Sequence, residues 1–542
     1  MKGKQKGYVL GIDGATFRII APLIKEGSLP NFERVMKEGV YGTLRSTIPP
    51  LSGPAWTSFM TGMEPSNHGI FDFVLKKPNS YKTYYANFRH IKGETFWNIL
   101  GNYGKKVIIQ NIMVTYPPSP VNGYLITGGL TPSGRDYTYP KSLANEIESK
   151  FGKYPHLPVG GINVAKDGER KYIEIFYKNM EKRAEITKYL MKKKPWDLFV
   201  VMFEAADSLQ HEFWKYIDNQ HPRYEIIEDE FIRDAIPNFY KKMDEFLGEL
   251  LNELDDHTTL FIMSDHGFGR LKKYIVVNNF LINIGMLKLK RGIKTKVKKF
   301  IYDHNIDLKT LYDLSKKRGF TSIASKFRGG KTEDTLNKLF LSVEDIDWSR
   351  TKAFSVGTGG HIYINLQGKE PEGVVDSNDY ESIVYEIVEE LKDFVDPETG
   401  EKVVEVVYTK TDVCNGKFSD LAPDISFIPK EGYATLHREQ FVSSSLFIES
   451  PNSGYHRRDG IFIAYGYGVV KSRMKKADIF DIAPTILHLF GLPIPKEMDG
   501  RVLKETFEDD SELAKKEIVY QVDYERKHLK EKVANLRKLG KI

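Results

Sequence analysis

The sequence predicts an α/β fold with a mostly parallel central sheet flanked by helices. Short apolar runs typical of buried strands alternate with longer stretches of helical periodicity along the first half of the chain. Several of these runs end in acidic residues, and 542 residues suffice for a large buried core. This alternation is typical of parallel sheets that are covered by helices on both faces.

Four apolar runs predict strands of the central sheet: 8–12, 107–112, 196–204 and 258–263. Between them, helical periodicity predicts helices over 18–38, 169–194 and 223–254. After an interruption, we expect the sheet to resume at 353–356 and 361–366, with further strands at 403–408, 425–428 and 461–465. A last helix is predicted over 478–491, with Gly491 at its end.

The interruption at 286–345 is a basic segment. Lysine and arginine crowd its first part without an acidic residue among them: Lys288, Lys290, Arg291, Lys294, Lys296, Lys298 and Lys299. We therefore divide the chain into a discontinuous catalytic core (1–285 and 346–508), a basic, mostly helical insert or cap (286–345) and a charged helical tail (509–542). The basic run fits either a solvated helix face or a contact with phosphate-bearing substrate, nucleic acid or anionic lipid.

Composition narrows the class of protein. The chain is 41% hydrophobic and 28% charged, as in soluble globular proteins. Its net charge of +6 is small for this length, so no stable nucleic-acid partner is expected. A single cysteine, Cys414, excludes an intramolecular disulfide. The sequence contains neither a secretory signal nor an apolar run of about 18 residues, so we expect a cytoplasmic protein without a transmembrane segment.

Acidic residues follow three of the predicted strands. Asp13 follows the first, Asp207 lies just beyond the third and Asp265 follows the fourth. Ligands of open parallel sheets bind at the carboxyl ends of the strands. We therefore expect these three carboxylates to converge, although each could separately be an ordinary turn or capping residue.

Three histidines accompany the carboxylates. His211 lies four residues after Asp207, on the same face if the segment is helical, and His266 follows Asp265 directly. His456 lies in a predicted loop. Two sites of three ligands could be assembled, and this oxygen and nitrogen mixture suits Zn²⁺ or Mn²⁺ better than Ca²⁺ or Mg²⁺. The two sets are Asp207, His211, His456 and Asp13, Asp265, His266, with Ser52 completing the second.

Ser52 lies in a segment rich in proline and glycine, just before a predicted helix. Proline fixes φ and glycine permits close approach, so this loop can hold a hydroxyl at a helix N-terminus. Such a terminus attracts phosphate. The segment predicts either a nucleophile or a simple turn with a helix cap.

These segments together resemble the alkaline phosphatase superfamily, and most closely its type I phosphodiesterase/nucleotide pyrophosphatase branch of predicted phosphohydrolases or phosphomutases. The resemblance rests on 11–14, on 52–70 with its Ser-Gly-Pro and His-Gly-Ile motifs, on Asp207 with His211, and on 264–267 and 454–456. It implies an alkaline phosphatase-like core with an inserted cap. It covers about residues 7–275 and 350–500.

The resemblance also implies a chemistry. Ser52 maps onto the nucleophile that forms a covalent phosphoserine. Asp13, Asp265 and His266 map onto the metal that activates this nucleophile, and Asp207, His211 and His456 map onto a second metal. The implied activity is a two-metal phosphoester hydrolase with a phosphorylated small-molecule substrate, and Zn²⁺ is expected over Mn²⁺. Asn111, Arg270 and Arg457 are candidates for binding the substrate phosphate.

Two departures from the family pattern bear on the substrate. Phe73 stands where nucleotide pyrophosphatases carry a phosphate-binding Asn, so a monoesterase or a phosphomutase is the alternative activity. Trp56 stands where sulfatases need Arg, which argues against a sulfatase. A protein that binds nucleic acid or an anionic membrane surface through the basic insert is the alternative of a different class.

Overall fold

A nine-stranded sheet forms the centre of the fold. The computed structural model describes residues 4–156, 168–304, 340–436, 440–441 and 444–521. Across the sheet, the strands follow the order Ser472–Asp478, Val40–Arg45, Asp459–Gly466, Thr258–Met263, Lys6–Ile12, Leu198–Phe203, Val107–Ile112, Gly123–Thr127 and Thr138–Tyr139.

The sheet is mostly parallel, as the sequence predicts. Strand Lys6–Ile12 pairs in parallel with Leu198–Phe203 on one side and Thr258–Met263 on the other, and Gly11 lies opposite Met202 and Met263. Only Asp459–Gly466 and Thr138–Tyr139 run against the other strands. The carboxyl ends of the three central strands therefore meet at one edge.

Both faces of the sheet are buried, which explains why its central strands are apolar throughout. Successive residues of a strand point to opposite faces. In strand Lys6–Ile12, Tyr8 and Leu10 therefore pack into one hydrophobic cluster, whereas Val9 packs into the other. The first face is covered by Phe17–Lys25, Pro30–Glu38, Ser142–Phe151, Glu169–Lys193, Ala205–Phe213 and Ala235–Glu253. The second is covered by Ser52–Thr61, Phe96–Asn102 and Ile482–Leu489.

The helix predicted over 18–38 is two helices, so the prediction of one element is wrong. Phe17–Lys25 ends before Gly27, which adopts a left-handed φ of +75°, and Pro30 begins the next helix, Pro30–Glu38. Glycine accepts this backbone conformation without strain and proline favours a first helical position, so the two together break the pattern.

Most of the strands predicted between residues 353 and 428 form a separate sheet, so the expectation that the central sheet resumes at 353–356 and 361–366 is wrong. The second sheet has the order Ala353–Ser355, Ile362–Ile364, Ile425–Pro429 and Val404–Thr409. With helix Tyr380–Lys392 it buries its own hydrophobic cluster. Asp459–Gly466 and Ser472–Asp478 return to the central sheet, whereas the earlier runs do not, because short apolar runs do not specify their partners.

A third sheet lies beside the carboxyl edge of the central strands. Its longest strand, Gly267–Ile275, follows directly from the central sheet and pairs with Gly454–Arg457, Gly432–Thr435 and Phe447–Glu449. Phe268 lies opposite His456 in this ladder. The predicted loop around His456 is therefore a strand, and its pairing brings a late histidine to the central sheet.

Short elements complete the described chain. The strand pairs are Val74–Lys76 with Thr83–Tyr85, Leu341–Ser342 with Gln440–Phe441, and Ile494–Pro495 with Tyr520–Gln521. The remaining α-helices are Pro65–His68, Glu230–Arg233, Val277–Asn283, Ile293–Asp303, Lys410–Val413 and Glu512–Lys515. The 3₁₀ helices are Phe88–His90, Trp214–Tyr216, Val343–Asp345, Trp348–Arg350, Ser419–Leu421, Ile479–Asp481 and Lys504–Thr506.

The insert and the tail are described only in part. Helix Ile293–Asp303 belongs to the basic insert, whose residues 305–339 lie outside the described chain, as do 522–542 of the tail. The proposed domain boundaries stay a prediction. In the parts of the chain that the structure describes, every helix is too short or too polar to span a bilayer.

Candidate functional site

The candidate site lies where the three central strands end. Asp13 follows strand Lys6–Ile12, and Asp265 and His266 follow Thr258–Met263. Asp207 lies in the first turn of helix Ala205–Phe213, directly after Leu198–Phe203. His211 lies one turn later in the same helix, so the prediction that Asp207 and His211 share a helix face is confirmed.

Ser52 is the first residue of helix Ser52–Thr61 and is buried in the centre of this group. Its Oγ lies 3.1 Å from Nε2 of His266 and 3.4 Å from Oδ1 of Asp13. A hydroxyl next to a carboxylate and an imidazole at a helix N-terminus is arranged to attack an electrophile that carries negative charge.

The first group of ligand-type atoms surrounds Ser52 and consists of Asp13, Asp265 and His266. Nε2 of His266 lies 3.6 Å from Oδ1 of Asp13 and 3.4 Å from Oδ2 of Asp265. The backbone N–H of Gly14 donates to Oδ1 of Asp265 at 3.1 Å, which leaves Oδ2 turned towards the group. Ligand atoms of all three residues lie within 4.8 Å of one another.

The second group is centred on Asp207. Oδ1 of Asp207 lies 3.1 Å from Nε2 of His456 and 3.4 Å from Nε2 of His211. These two imidazole nitrogens are 3.0 Å apart. Nε2 of His266 is 3.9 Å from the same Asp207 oxygen, so His266 lies between the two groups.

The backbone fixes how each imidazole faces the site. Nδ1 of His211 lies 2.9 Å from the carbonyl of Gly454, Nδ1 of His456 lies 3.0 Å from that of Pro50, and Nδ1 of His266 lies 3.0 Å from that of Gly267. A carbonyl only accepts hydrogen bonds, so the proton of each neutral ring is on Nδ1. Three Nε2 lone pairs therefore point into the site, the arrangement found for histidines that ligate metals.

Two carboxylate oxygens of the site also lack a donor. Oδ1 of Asp207 and Oδ2 of Asp265 are buried and accept no hydrogen bond from any described residue. Buried anionic oxygens without a donor are costly, and three imidazole lone pairs beside them cannot supply one. The residues present therefore fit divalent cations, which would be held by Asp13, Asp265 and His266 and by Asp207, His211 and His456.

The raised pKa values of Asp13 and Asp265 reflect this surplus of acceptors. Burial and the charges of Asp265 and Asp207 raise the pKa of Asp13 well above its ordinary value, and burial raises that of Asp265 to about 7. Burial also raises the pKa of Asp207, but the imidazoles of His211 and His456 outweigh it and lower the pKa below its ordinary value. A bound cation reverses the penalty on each carboxylate.

The three candidates for binding substrate phosphate make contacts with the protein, and their role stays a prediction. Nδ2 of Asn111 donates to Oε2 of Glu204 at 2.7 Å. Arg270 forms an ion pair with Asp218 at 2.9 Å. Within the described parts of the chain, Arg457 donates to three backbone carbonyls, those of Pro429, Arg270 and Lys430.

Sequence reasoning missed the role of Trp56. Its indole Nε1 donates to Oδ2 of Asp13 at 3.1 Å, so the residue that argues against a sulfatase also orients a carboxylate of the site. The spacing of four residues from Ser52, one helical turn, is the signal that could have suggested it.

It also missed a buried ion pair beside the site. Arg183 and Glu204 are 1% and 4% exposed, and Glu204 lies three residues before Asp207. Nη2 of Arg183 donates to Oε1 of Glu204 at 2.8 Å, and Nη1 of Arg183 and Nδ2 of Asn111 both donate to Oε2. Both carboxylate oxygens of Glu204 therefore accept hydrogen bonds from the protein.

Comparisons with known proteins identify the family and the fold of the chain. Residues 8–443 match the family described as type I phosphodiesterase/nucleotide pyrophosphatase. An inactive variant of murine ectonucleotide pyrophosphatase/phosphodiesterase 5, solved in complex with AMP, is similar in structure, with a TM-score of 0.50 and 14% identity over 90% of this chain and 96% of that chain. No curated protein sequence matches the chain.

Two further solved structures are similar. They are another of the murine protein and one of human ectonucleotide pyrophosphatase/phosphodiesterase 5, with TM-scores of 0.49 and 0.48. Each is 14% identical, and the match covers 90% of this chain and 95% of theirs. Because the family match spans most of the sequence, the chain belongs to the type I phosphodiesterase/nucleotide pyrophosphatase family of the alkaline phosphatase superfamily and is an enzyme that hydrolyses phosphoester bonds.

Proposed function

We propose that the protein is a two-metal phosphodiesterase or nucleotide pyrophosphatase that acts through a covalent phosphoserine on Ser52. The observation that carries this proposal is the convergence of three imidazole Nε2 atoms and two donorless carboxylate oxygens around one buried hydroxyl. The family is metal-dependent, and the ligand types favour Zn²⁺ over Mn²⁺.

The residues of the site have separate roles in this reaction. The two divalent ions, when bound, would supply positive charge for the phosphate oxygens and lower the pKa of the Ser52 hydroxyl. Ser52 Oγ attacks phosphorus, the bond to the leaving alcohol or phosphate breaks, and water then hydrolyses the phosphoserine. Trp56 holds Asp13 in position, and the carbonyls of Gly267, Pro50 and Gly454 hold the imidazoles.

A hydrolysis assay tests this proposal. The zinc-reconstituted full chain is given a chromogenic phosphodiester and the matching monoester, beside Ser52→Ala and the neighbouring control Ser58→Ala. Ser58 is buried in the same helix, but its Oγ contacts His68 and lies outside the two groups of ligand-type atoms. We expect turnover that disappears in Ser52→Ala and persists in Ser58→Ala. Equal turnover in wild type and Ser52→Ala would contradict the proposed nucleophile.

A phosphomonoesterase or phosphomutase is the second candidate, and one contact favours it. The ring of Phe73 packs so closely on Gly53, next to Ser52, that a Cβ at Gly53 would lie 3.1 Å from it. An apolar ring at this position offers no hydrogen bond to a phosphate oxygen. The ratio of monoester to diester turnover distinguishes the two hydrolases. Return of the phosphate to the same substrate identifies a mutase.

We further propose that the insert contacts an anionic membrane surface. Ile293, Val297 and Phe300 lie on one side of helix Ile293–Asp303 and are 83%, 59% and 57% exposed. Basic residues adjoin this apolar stripe, an arrangement typical of helices that lie in the membrane interface. Sedimentation with phosphatidylserine vesicles tests it: Val297→Glu should reduce binding, and equal binding to phosphatidylcholine vesicles contradicts it. A cytoplasmic location stays a prediction.

A further inference from the structure

A second cluster of positive charge lies next to the candidate site, in a cavity of about 450 Å³ between the central sheet and the second sheet. We call it the arginine cleft. Strands Val40–Arg45 and Ser472–Asp478 line one side of it, and Val404–Thr409 and Ile425–Pro429 line the other. Its cationic residues are Arg18, Arg45, Arg457, Arg458 and Lys476.

Two of these cations are neutralised by carboxylates. Arg18 forms an ion pair with Glu431 at 2.5 Å, and Arg45 forms one with Asp478 at 2.6 Å. Both pairs are partly exposed. These pairs leave three cations of the cleft without an ion pair in the part of the chain that the structure describes.

Arg457 forms no ion pair within the described residues, although the carboxylates of Glu431 and Glu405 are near enough to raise its pKa. Its guanidinium donates to the carbonyls of Pro429, Lys430 and Arg270 at 3.2–3.4 Å, and its Nε is buried without a hydrogen-bond partner. Burial lowers the pKa of Arg457 to about 10, so the side chain is still charged at neutral pH. Among the residues described, Arg457 is therefore a half-buried cation with a buried, unused donor, whereas the Ser52 site has buried acceptors that lack a donor.

Arg458 and Lys476 add two further cations that form no ion pair in the part of the chain that the structure describes. Arg458 makes only two long contacts of 3.4 Å, to the carbonyl of Ser46 and to the hydroxyl of Tyr408. The carboxylates of Glu405 and Asp459 also line the cleft, but both residues are exposed and neither forms an ion pair with the three unpaired cations. A ligand with several negative charges would complete this arrangement.

The cleft borders the Ser52 site without being part of it. Phe268 lines the cleft, and its ring lies 4.9 Å from the ring of His211 and 5.6 Å from that of His456. Arg457 follows His456 in strand Gly454–Arg457, so the two side chains point to opposite faces of that strand. An anion in the cleft is therefore near the reacting centre but does not touch its ligand-type atoms.

We infer that the arginine cleft is a second anion-binding site, which takes a phosphate or polyphosphate group through Arg457, Arg458 and Lys476. Guanidinium groups match the geometry of phosphate oxygens and bind them through two parallel hydrogen bonds. The group is either a distal phosphate of the substrate or a free phosphorylated effector. The second possibility is independent of the proposed chemistry at Ser52, and the first rests on it.

Calorimetric titration of the metal-loaded full chain with tripolyphosphate tests this inference. We expect Arg458→Gln and Lys476→Gln to weaken binding at the cleft by about tenfold each. Lys475→Gln is the matched control, because Lys475 is exposed on the same strand but does not line the cleft. Asp265→Asn, which alters only the Ser52 site, should leave this binding event unchanged. If Asp265→Asn abolishes all binding while Arg458→Gln binds as wild type does, tripolyphosphate binds only at Ser52 and the inference is overturned.

Kinetics then identify the source of the anion. If Arg458→Gln lowers kcat/KM for a substrate with a terminal polyphosphate but not for a small chromogenic diester, the cleft binds the substrate. If tripolyphosphate instead changes turnover of the small diester without competing with it, the cleft binds an effector. Both results support the cleft as an anion-binding site. If the protein hydrolyses none of these substrates, the proposed function fails, but the calorimetric titration still tests binding at the cleft.

Discussion

Glu204 and Asp207 lie three residues apart at the end of the same strand, and the fold surrounds their carboxylates differently. Both oxygens of Glu204 accept hydrogen bonds from Arg183, and one also accepts from Asn111. Oδ1 of Asp207 is buried among imidazole nitrogens and accepts no hydrogen bond from the part of the chain that the structure describes. One carboxylate is neutralised by the protein, and the other is left open to a cation.

This difference distinguishes a carboxylate that stabilises the fold from one that is available to bind a cation. A buried ion pair whose hydrogen bonds are all formed requires no additional ligand. Removing one partner, however, leaves the other charge unpaired in a medium of low dielectric constant. A group of acceptors without a donor is unstable until a cation arrives. The two regions should therefore respond in opposite ways to the same kind of substitution, from carboxylate to amide.

The largest expected effect is at the Ser52 site, which we call the open site because the buried oxygens of Asp207 and Asp265 lack a donor there among the described residues. Asp265→Asn removes one ligand atom, so we expect turnover of a chromogenic phosphoester to fall by about 10³-fold or more. Because it also removes a buried charge repelled by Asp13 and Asp207, the unfolding free energy of the metal-free protein should stay the same or rise. Steady-state kinetics and urea unfolding measure the two quantities.

Asp244→Asn is the control for that variant. Asp244 is buried, but its carboxylate accepts from the backbone N–H groups of Asn31 and Phe32, and its helix covers the face of the central sheet opposite to helix Ser52–Thr61. Its replacement should cost stability and leave the metal content unchanged. A metal-free Asp265→Asn protein that is as destabilised as Asp244→Asn would contradict the view of an acceptor-rich site.

The next largest effect is a loss of stability when the ion pair of Arg183 and Glu204, which we call the closed pair, is broken. Glu204→Gln leaves the guanidinium of Arg183 buried without a counter-charge, so we expect a loss of roughly 3–5 kcal/mol of unfolding free energy. Urea denaturation followed by circular dichroism gives this value. The metal content of the folded protein should be that of the wild type; loss of metal with unchanged stability would mean that Glu204 belongs to the open site.

A smaller effect is expected at Trp56. Trp56→Phe keeps the ring but removes the hydrogen bond from Nε1 to Oδ2 of Asp13. Groups that orient metal ligands in this way contribute about 10- to 100-fold to metal affinity or activity, so we expect kcat to fall within that range. Trp97→Phe is the control, because Trp97 is a fully buried tryptophan whose Nε1 has no hydrogen-bond partner among the residues that the structure describes. Equal kcat values for the two variants would show that the Trp56 bond is not used.

The smallest effect is expected when both partners of the closed pair are replaced. In Arg183→Met combined with Glu204→Gln, no charge is left unpaired, and the amide oxygen of the new side chain can still accept from Asn111. We expect the double variant to lie within about 1–2 kcal/mol of the wild type, well above either single variant. Additive losses in this double-mutant cycle would mean that packing, not charge, holds the two residues.

The sequence predicts the open site better than the closed pair, for physical reasons. Apolar runs followed by Asp13 and Asp265 mark strand ends, and parallel pairing necessarily brings such ends together. The four-residue spacing of Asp207 and His211 needs only a helix. The pairing of Arg183 with Glu204 depends on how helix Glu169–Lys193 packs over the sheet, which no local pattern encodes.

Other features of the fold could not be predicted from local sequence patterns for the same reason. The strands from Ala353–Ser355 to Ile425–Pro429 are as apolar as central strands, but they form their own sheet because strand partners are chosen by tertiary packing. The carbonyls that fix the imidazoles belong to Pro50, Gly267 and Gly454, and every residue has such a group. The three-dimensional structure, but not the sequence, shows which carbonyl faces which imidazole ring.

The measurement that tests the central claim most directly is the number of metal ions bound per folded chain. Zinc-reconstituted wild type, Asp265→Asn and Asp207→Asn would be dialysed and analysed by inductively coupled plasma mass spectrometry. Two ions in the wild type and one in each variant are the predicted result. No bound metal in a folded wild-type chain, or two ions in both variants, would contradict the account.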